Sequence, residues 1–130
     1  MEQILAFGLT QAQYTLLESA MFTIQIRTKQ VSPAFYHRSV KELVLLKPEE
    51  LKDPTAADLK KSFGYGRVKG TLLLLCDLSD ARLDQVLATL RASSLKVDYK
   101  AILTPTNQNW NVPKLFAEME REKAAYTKKV

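Results

Sequence analysis

The sequence predicts an α/β (α+β) fold: one sheet of about four strands covered by helices. Three observations carry this. Apolar runs of strand length recur, the clearest being Leu72-Leu73-Leu74-Leu75-Cys76. Between them, apolar residues repeat at helical spacing, as in Leu83, Val86, Leu87 and Leu90. Ser, Thr, Pro and Gly punctuate the junctions.

The elements follow in order. Gln3 to Gly8 opens as a short buried strand, and Thr10 with Gln13 has capping-box spacing for a helix carrying Tyr14, Leu17, Ala20, Met21 and Ile24. Ile24 to Val31 fits strand or helix. Ser32-Pro33 ends any helix there, because proline lacks the amide donor. Ser39 to Glu42 is a second capping box, opening a short helix through Leu46. Asp53-Pro54 reads as an N-cap and first helical residue, followed by a stripe of Ala56, Leu59, Lys60 and Phe63. Val68 to Cys76 is the clearest strand. It is apolar on both faces and therefore expected centrally, covered on both sides. Ser79 caps the next helix, Val97 to Leu103 is a strand, Thr104 to Asn111 is a polar connection, and Val112, Leu115, Phe116 and Met119 start a last helix.

The halves resemble each other. Leu9-Thr10-Gln11-Ala12 matches Leu78-Ser79-Asp80-Ala81 in position. Ser32-Pro33 with Val40 and Leu43 has the spacing of Thr104-Pro105 with Val112 and Leu115. The chain reads as one domain over 1–130, and these few matches suggest an internal duplication of 1–46 and 70–126 joined by 47–69 as an expectation. A ferredoxin-like βαββαβ sheet with extra helices is the simplest architecture, with two βαβα repeats sharing one sheet as its duplicated form. Copies that swap their last helices or dimerise through sheet edges compete with it.

The 130 residues are 46% hydrophobic and 25% charged, enough to bury a core without disulfides. No apolar run approaches the roughly 20 residues that cross a bilayer. The N-terminus lacks the pattern of a signal peptide, and a single cysteine points to a reducing compartment. The expectation is a cytoplasmic protein with no membrane partner. A net charge of +5, from 19 basic and 14 acidic side chains, is interspersed and reads first as a solubilising surface.

The most distinctive stretch is Thr104-Pro105-Thr106-Asn107-Gln108-Asn109-Trp110-Asn111. Amides at the start of the following helix, with Thr104, Thr106, Asn107 and Asn109, suit a small polar or anionic ligand, and Trp110 offers a packing face. The structural alternative is that the Asn side chains cap the turn and helix while Trp110 packs at the core edge. Gly64 to Gly70 is not a dinucleotide fingerprint, because its glycines follow a helix and open a strand. Its plain reading is a mobile turn; the sharper one is a basic tip, with Lys60, Lys61, Tyr65, Arg67 and Lys69, suited to nucleic acid or a partner. His37, with Tyr36 and Arg38, suits an acidic group, but without a second ligand or nucleophile in sequence it reads first as an ordinary surface or capping residue. Cys76 closes a buried strand and reads as a structural thiol, while Asp77, Asp80 and Asp84 complement a helix start. No cofactor, metal site or catalytic constellation is implied.

The segment Tyr99-Lys100-Ala101-Ile102-Leu103-Thr104-Pro105-Thr106-Asn107, ending in Asn109-Trp110, resembles the signature of a family of small bacterial proteins known as a domain of unknown function. The resemblance spans roughly residues 70 to 120. It implies a bacterial, cytoplasmic protein and supplies no activity. The first half lacks the Asn pair and the Trp in Ser32-Pro33-Ala34-Phe35-Tyr36-His37. Three functions are weighed: a homodimeric, non-enzymatic binding or regulatory module using the Thr104 to Asn111 loop, a weak nucleic-acid binder using the basic tip, and an enzyme of unknown class. The first is expected.

Overall fold

The strands fall on the apolar runs. In the computed structural model, which describes residues 1–63 and 68–129, the chain divides into two units: Met1–Val31 with Gly70–Leu103, and Ser32–Lys69 with Thr104–Val130.

The first unit holds β1 (Gln3–Phe7), α1 (Gln11–Phe22), β2 (Arg27–Val31), β3 (Leu72–Cys76), α4 (Asp80–Ala92) and β4 (Tyr99–Ile102); helices α2 (Val40–Leu45) and α3 (Ala56–Phe63) belong to the second unit. The sheet order is β2-β1-β3-β4. β1 and β2 are parallel, with Gln3 opposite Arg27, and β3 and β4 are parallel, with Leu72 opposite Tyr99. Parallel neighbours need a crossover, which α1 and α4 supply. β1 and β3 run antiparallel at the centre, Leu5 facing Leu74. The predicted sheet is therefore present, and every residue of β3 is buried, as its apolar run requires. The connectivity differs from the ferredoxin-like expectation, in which the βαβ units are split by an inserted strand. Here each unit is unsplit. β1 and β3, buried along their whole length, hold the centre in either arrangement; the difference is that β2, with Arg27, pairs directly with β1 and β4, with Lys100, directly with β3 at the two edges.

Capping fixes the helix starts. Gln13 N–H donates to Thr10 Oγ1 at 3.1 Å and Thr10 N–H to Gln13 Oε1 at 2.8 Å, the predicted capping box. Ser79 Oγ accepts from Arg82 N–H at 3.2 Å. Leu17 and Met21 of α1 and Val86 and Leu90 of α4 share a core cluster with Ile4, Ala6, Leu73 and Leu75 on one sheet face. Leu5, Phe7, Leu72 and Leu74, on the opposite face, are also fully buried. Gly8 leaves β1 at φ +80°, and a Cβ there would run into the carbonyl oxygen of Gly70.

The second unit holds α2 (Val40–Leu45), α3 (Ala56–Phe63), α5 (Val112–Lys129) and three short 3-10 turns at Pro33–Phe35, Pro48–Leu51 and Asn107–Asn109. Phe35, Val40, Leu43, Leu51, Val112, Leu115 and Phe116 are buried in it. α3 departs from the sequence expectation. It begins at Ala56 rather than at Pro54, because Thr55 is the residue that caps it. Asp58 N–H donates to Thr55 Oγ1 at 3.1 Å, and Thr55 N–H donates to Asp58 Oδ2 at 3.0 Å. Its expected inward stripe also points the other way: Leu59 is 57% and Phe63 90% exposed, while Asp58 is 2% exposed.

Candidate functional site

The Thr104–Asn111 connection is built on main-chain hydrogen bonds. Thr104 N–H donates to Asn107 Oδ1 at 2.8 Å, and Asn107 N–H donates to Thr104 Oγ1 at 3.0 Å. This reciprocal pair closes the turn and buries Asn107. Trp110 N–H donates to Asn107 O at 3.0 Å, and Asn109 Nδ2 donates to Pro105 O at 3.3 Å. Thr104, Thr106 and Asn109 stay exposed, and Trp110 is half-buried, with Lys114 Nζ 5.3 Å from the centre of its ring.

The connection is tied to the corresponding segment before α2. Val40 N–H donates to Trp110 O at 2.8 Å, Val112 N–H donates to Tyr36 O at 3.3 Å, and Ser39 and Asn111 form an antiparallel bridge. Each residue of that bridge also caps its own helix. Ser39 Oγ accepts from Glu42 N–H at 3.2 Å, and Asn111 Oδ1 accepts from Lys114 N–H at 3.0 Å. The start of α5 is thus occupied from within: Val112 N–H is bonded, Pro113 has no N–H, Lys114 N–H is capped, and Leu115 N–H reaches Asn111 O at 3.1 Å. The amides that the sequence reading offered to an anion already have partners, so the surface open to a ligand is the exposed side-chain face.

A second polar cluster centres on Asp58. Arg38 grips it with two hydrogen bonds, Nε to Oδ1 at 2.9 Å and Nη2 to Oδ2 at 3.0 Å. His37 Nε2 lies 2.7 Å from Oδ1, and Thr55 Oγ1 donates to Oδ2 at 2.9 Å. The Arg38 hydrogen bonds are the main force holding the Asp58 carboxyl well below the usual carboxylate range. Burial opposes them, and Thr55 and His37 assist. The same hydrogen bond to Asp58 raises the Arg38 pKa. An ionised carboxylate only accepts, so the short contact places a proton on His37 Nε2. The neighbouring Ser62 does not complete a Ser-His-Asp arrangement. Its hydroxyl donates to Ala34 O at 2.6 Å and accepts the His37 main-chain N–H at 3.4 Å, which fixes α3 to the Pro33–Phe35 turn.

The sequence offers His37, with Tyr36 and Arg38, to an acidic group; His37 and Arg38 do hold one, but it is Asp58 of the same chain, which with Ser62 the sequence does not single out. The Thr55-to-Asp58 capping spacing was the one available signal. Of the proposed nucleic-acid residues, Lys60 and Lys61 are exposed in the last turn of α3 and Lys69 is exposed; Tyr65 and Arg67 lie outside the described residues. Burial pushes the Cys76 thiol up to about 12, with the Asp77 charge adding to the rise, so no thiolate forms there near neutral pH. Among the described residues, no group of three or more His, Cys, Asp or Glu converges as a metal site, and no helix is long and apolar enough to cross a membrane.

No curated protein and no solved structure matches the chain. Residues 71–126, running from the start of β3 through the Asn/Trp connection into α5, match the family described as Domain of unknown function (DUF3783), the kind of family that the segment around Thr104 and Trp110 resembles.

Proposed function

We propose that the chain is a non-enzymatic binding module that self-associates through the Thr104–Asn111 connection. One observation carries the reading. The loop backbone is held by its own hydrogen bonds and by Val40, while Thr104, Thr106 and Asn109 are exposed and the Trp110 indole is half-exposed. A loop fixed in this way loses little conformational freedom on docking. Trp is the residue type most enriched at the energetic centres of interfaces, and closed two-fold dimers are the commonest assemblies. The non-enzymatic part is supported by how the reactive groups are used: Ser62 and His37 are engaged in fixing α3, and Cys76 is buried as a thiol.

Trp110 is the only tryptophan, so its fluorescence reads this surface alone. Emission is expected to shift to the blue as protein concentration rises, in step with dimer formation measured by sedimentation equilibrium. Thr106→Ala combined with Asn109→Ala should move both curves to higher concentration with the circular dichroism spectrum unchanged. Monomeric mass with constant emission throughout the titration would remove the proposal.

A further inference from the structure

α3 is an inside-out helix, and its outward face has a use the loop does not supply. Asp58 and Ser62, four residues apart, face inward and are held by Arg38, His37, Thr55 and the Ala34 carbonyl. That leaves Leu59 57% and Phe63 90% exposed, one turn apart on the same side. Lys60, three residues before Phe63, is exposed beside them, while Lys61 is exposed on the opposite flank of the helix; among the described residues neither takes part in an ion pair. The only carboxylate of α3, Asp58, is turned inward, so the exposed part of the helix carries cations and apolar groups alone.

We propose that this face, Leu59, Lys60 and Phe63, is a contact site for single-stranded nucleic acid. Size and charge select this occupant. A helix of eight residues is roughly 12 Å long, far short of the ~800 Å² per partner of a stable protein interface. A single strand needs much less: an aromatic ring on which a base stacks, and cations beside it for the phosphates. Phe63 supplies the ring, Leu59 extends the apolar contact, and Lys60 supplies the charge. The net charge of +5 adds a general attraction to a polyanion.

The test is fluorescence anisotropy of a labelled oligothymidylate with the full chain, titrated over a series of salt concentrations. Binding should weaken steeply with salt. In Lys60→Gln the plot of log K against log salt should be shallower by about 0.7, one phosphate contact, while Lys61→Gln on the far flank should leave the slope unchanged. Phe63→Ala should weaken binding about tenfold and leave the salt slope unchanged, and Phe63→Tyr should restore it, as expected of stacking. Because Phe63 is exposed, these variants keep the fold, which circular dichroism checks. Three results would overturn the proposal: no binding at the lowest salt, binding indifferent to Phe63→Ala, or equal binding of polyglutamate with the same dependence on Phe63. The last would assign the face to an acidic protein.

Discussion

At the scale of single residues, Asp58 governs the second unit. Its carboxylate is almost wholly buried and receives Arg38, His37 and Thr55. Removing one member of a buried charged cluster strands the others, so Asp58→Asn should cost about 3 kcal/mol at neutral pH, measured by urea unfolding. The pH dependence follows from the direction of the shift. The folded carboxyl titrates far below its ordinary value of 3.8. Its contribution is therefore complete above that value and is lost progressively as the pH falls below it, toward the folded pKa. Wild type should lose stability through this acid limb, and Asp58→Asn should show a flatter one. A second contrast lies in the loop. Asn107 closes the turn from a buried position, so Asn107→Ala should cost about 1 kcal/mol. The exposed Asn109 should tolerate alanine within about 0.5 kcal/mol. The cap was legible in the loop composition, since Asn and Thr favour such turns. The Asp58 cluster was not, because Arg38 and Asp58 meet only through the tertiary fold. An apolar pair at helical spacing, Leu59 and Phe63, reads as inward-facing until the competing claim of a buried, hydrogen-bonded aspartate is known.

Among the elements, the two central strands were the most legible and their exits the least. Five consecutive apolar residues at Leu72–Cys76 have nowhere to go but the middle of a sheet, and Leu74 is fully buried opposite Leu5. Leu74→Ala should cost about 2–5 kcal/mol in denaturant unfolding, the range for a buried leucine that leaves a cavity. The exits share a backbone requirement that composition does not reveal. After β1, Gly8 sits at φ +80°, and after β3, Asp77 sits at φ 57°, both left-handed. The two positions are not interchangeable in what they tolerate. A side chain at Gly8 meets the Gly70 carbonyl as well as the left-handed backbone, so Gly8→Ala should cost about 2 kcal/mol or more. Asp77 carries the left-handed strain of an L-residue, so Asp77→Gly should raise stability by about 0.5 kcal/mol. Thermal unfolding of the two variants side by side checks both signs.

Across the whole molecule, matching residues occupy matching places in each half. Thr10 and Ser79 cap α1 and α4, each in the connection that follows a central strand. Gly8 and Asp77 fall at the same offset, and the antiparallel register, with Leu5 opposite Leu74, is symmetric under it. From β2 and β4 onward the offset grows by three residues and then holds through Ser32 and Thr104, Ser39 and Asn111, and Val40 and Val112. One extra residue lengthens α4, at 13 residues against 12 in α1, and two enter the connection from α4 to β4, which no ladder constrains. This pattern supports reading the chain as two copies, although the side chains have diverged most where the loops differ: the first copy has Ala34, Phe35 and Tyr36 where the second has Thr106, Asn107 and Gln108. The reading predicts that the bridging caps can trade places. Ser39 and Asn111 each present a side-chain oxygen to the third amide of the following helix and meet in the same antiparallel bridge. Ser39→Asn and Asn111→Ser, singly or together, should therefore stay within about 0.5 kcal/mol of wild type, since both residue types are good caps. Alanine at either position should cost about 1 kcal/mol by the same urea unfolding measurement. If the exchanged pair costs as much as the two alanines together, each cap is shaped by surroundings peculiar to its own half, and the equivalence of the halves ends at the backbone.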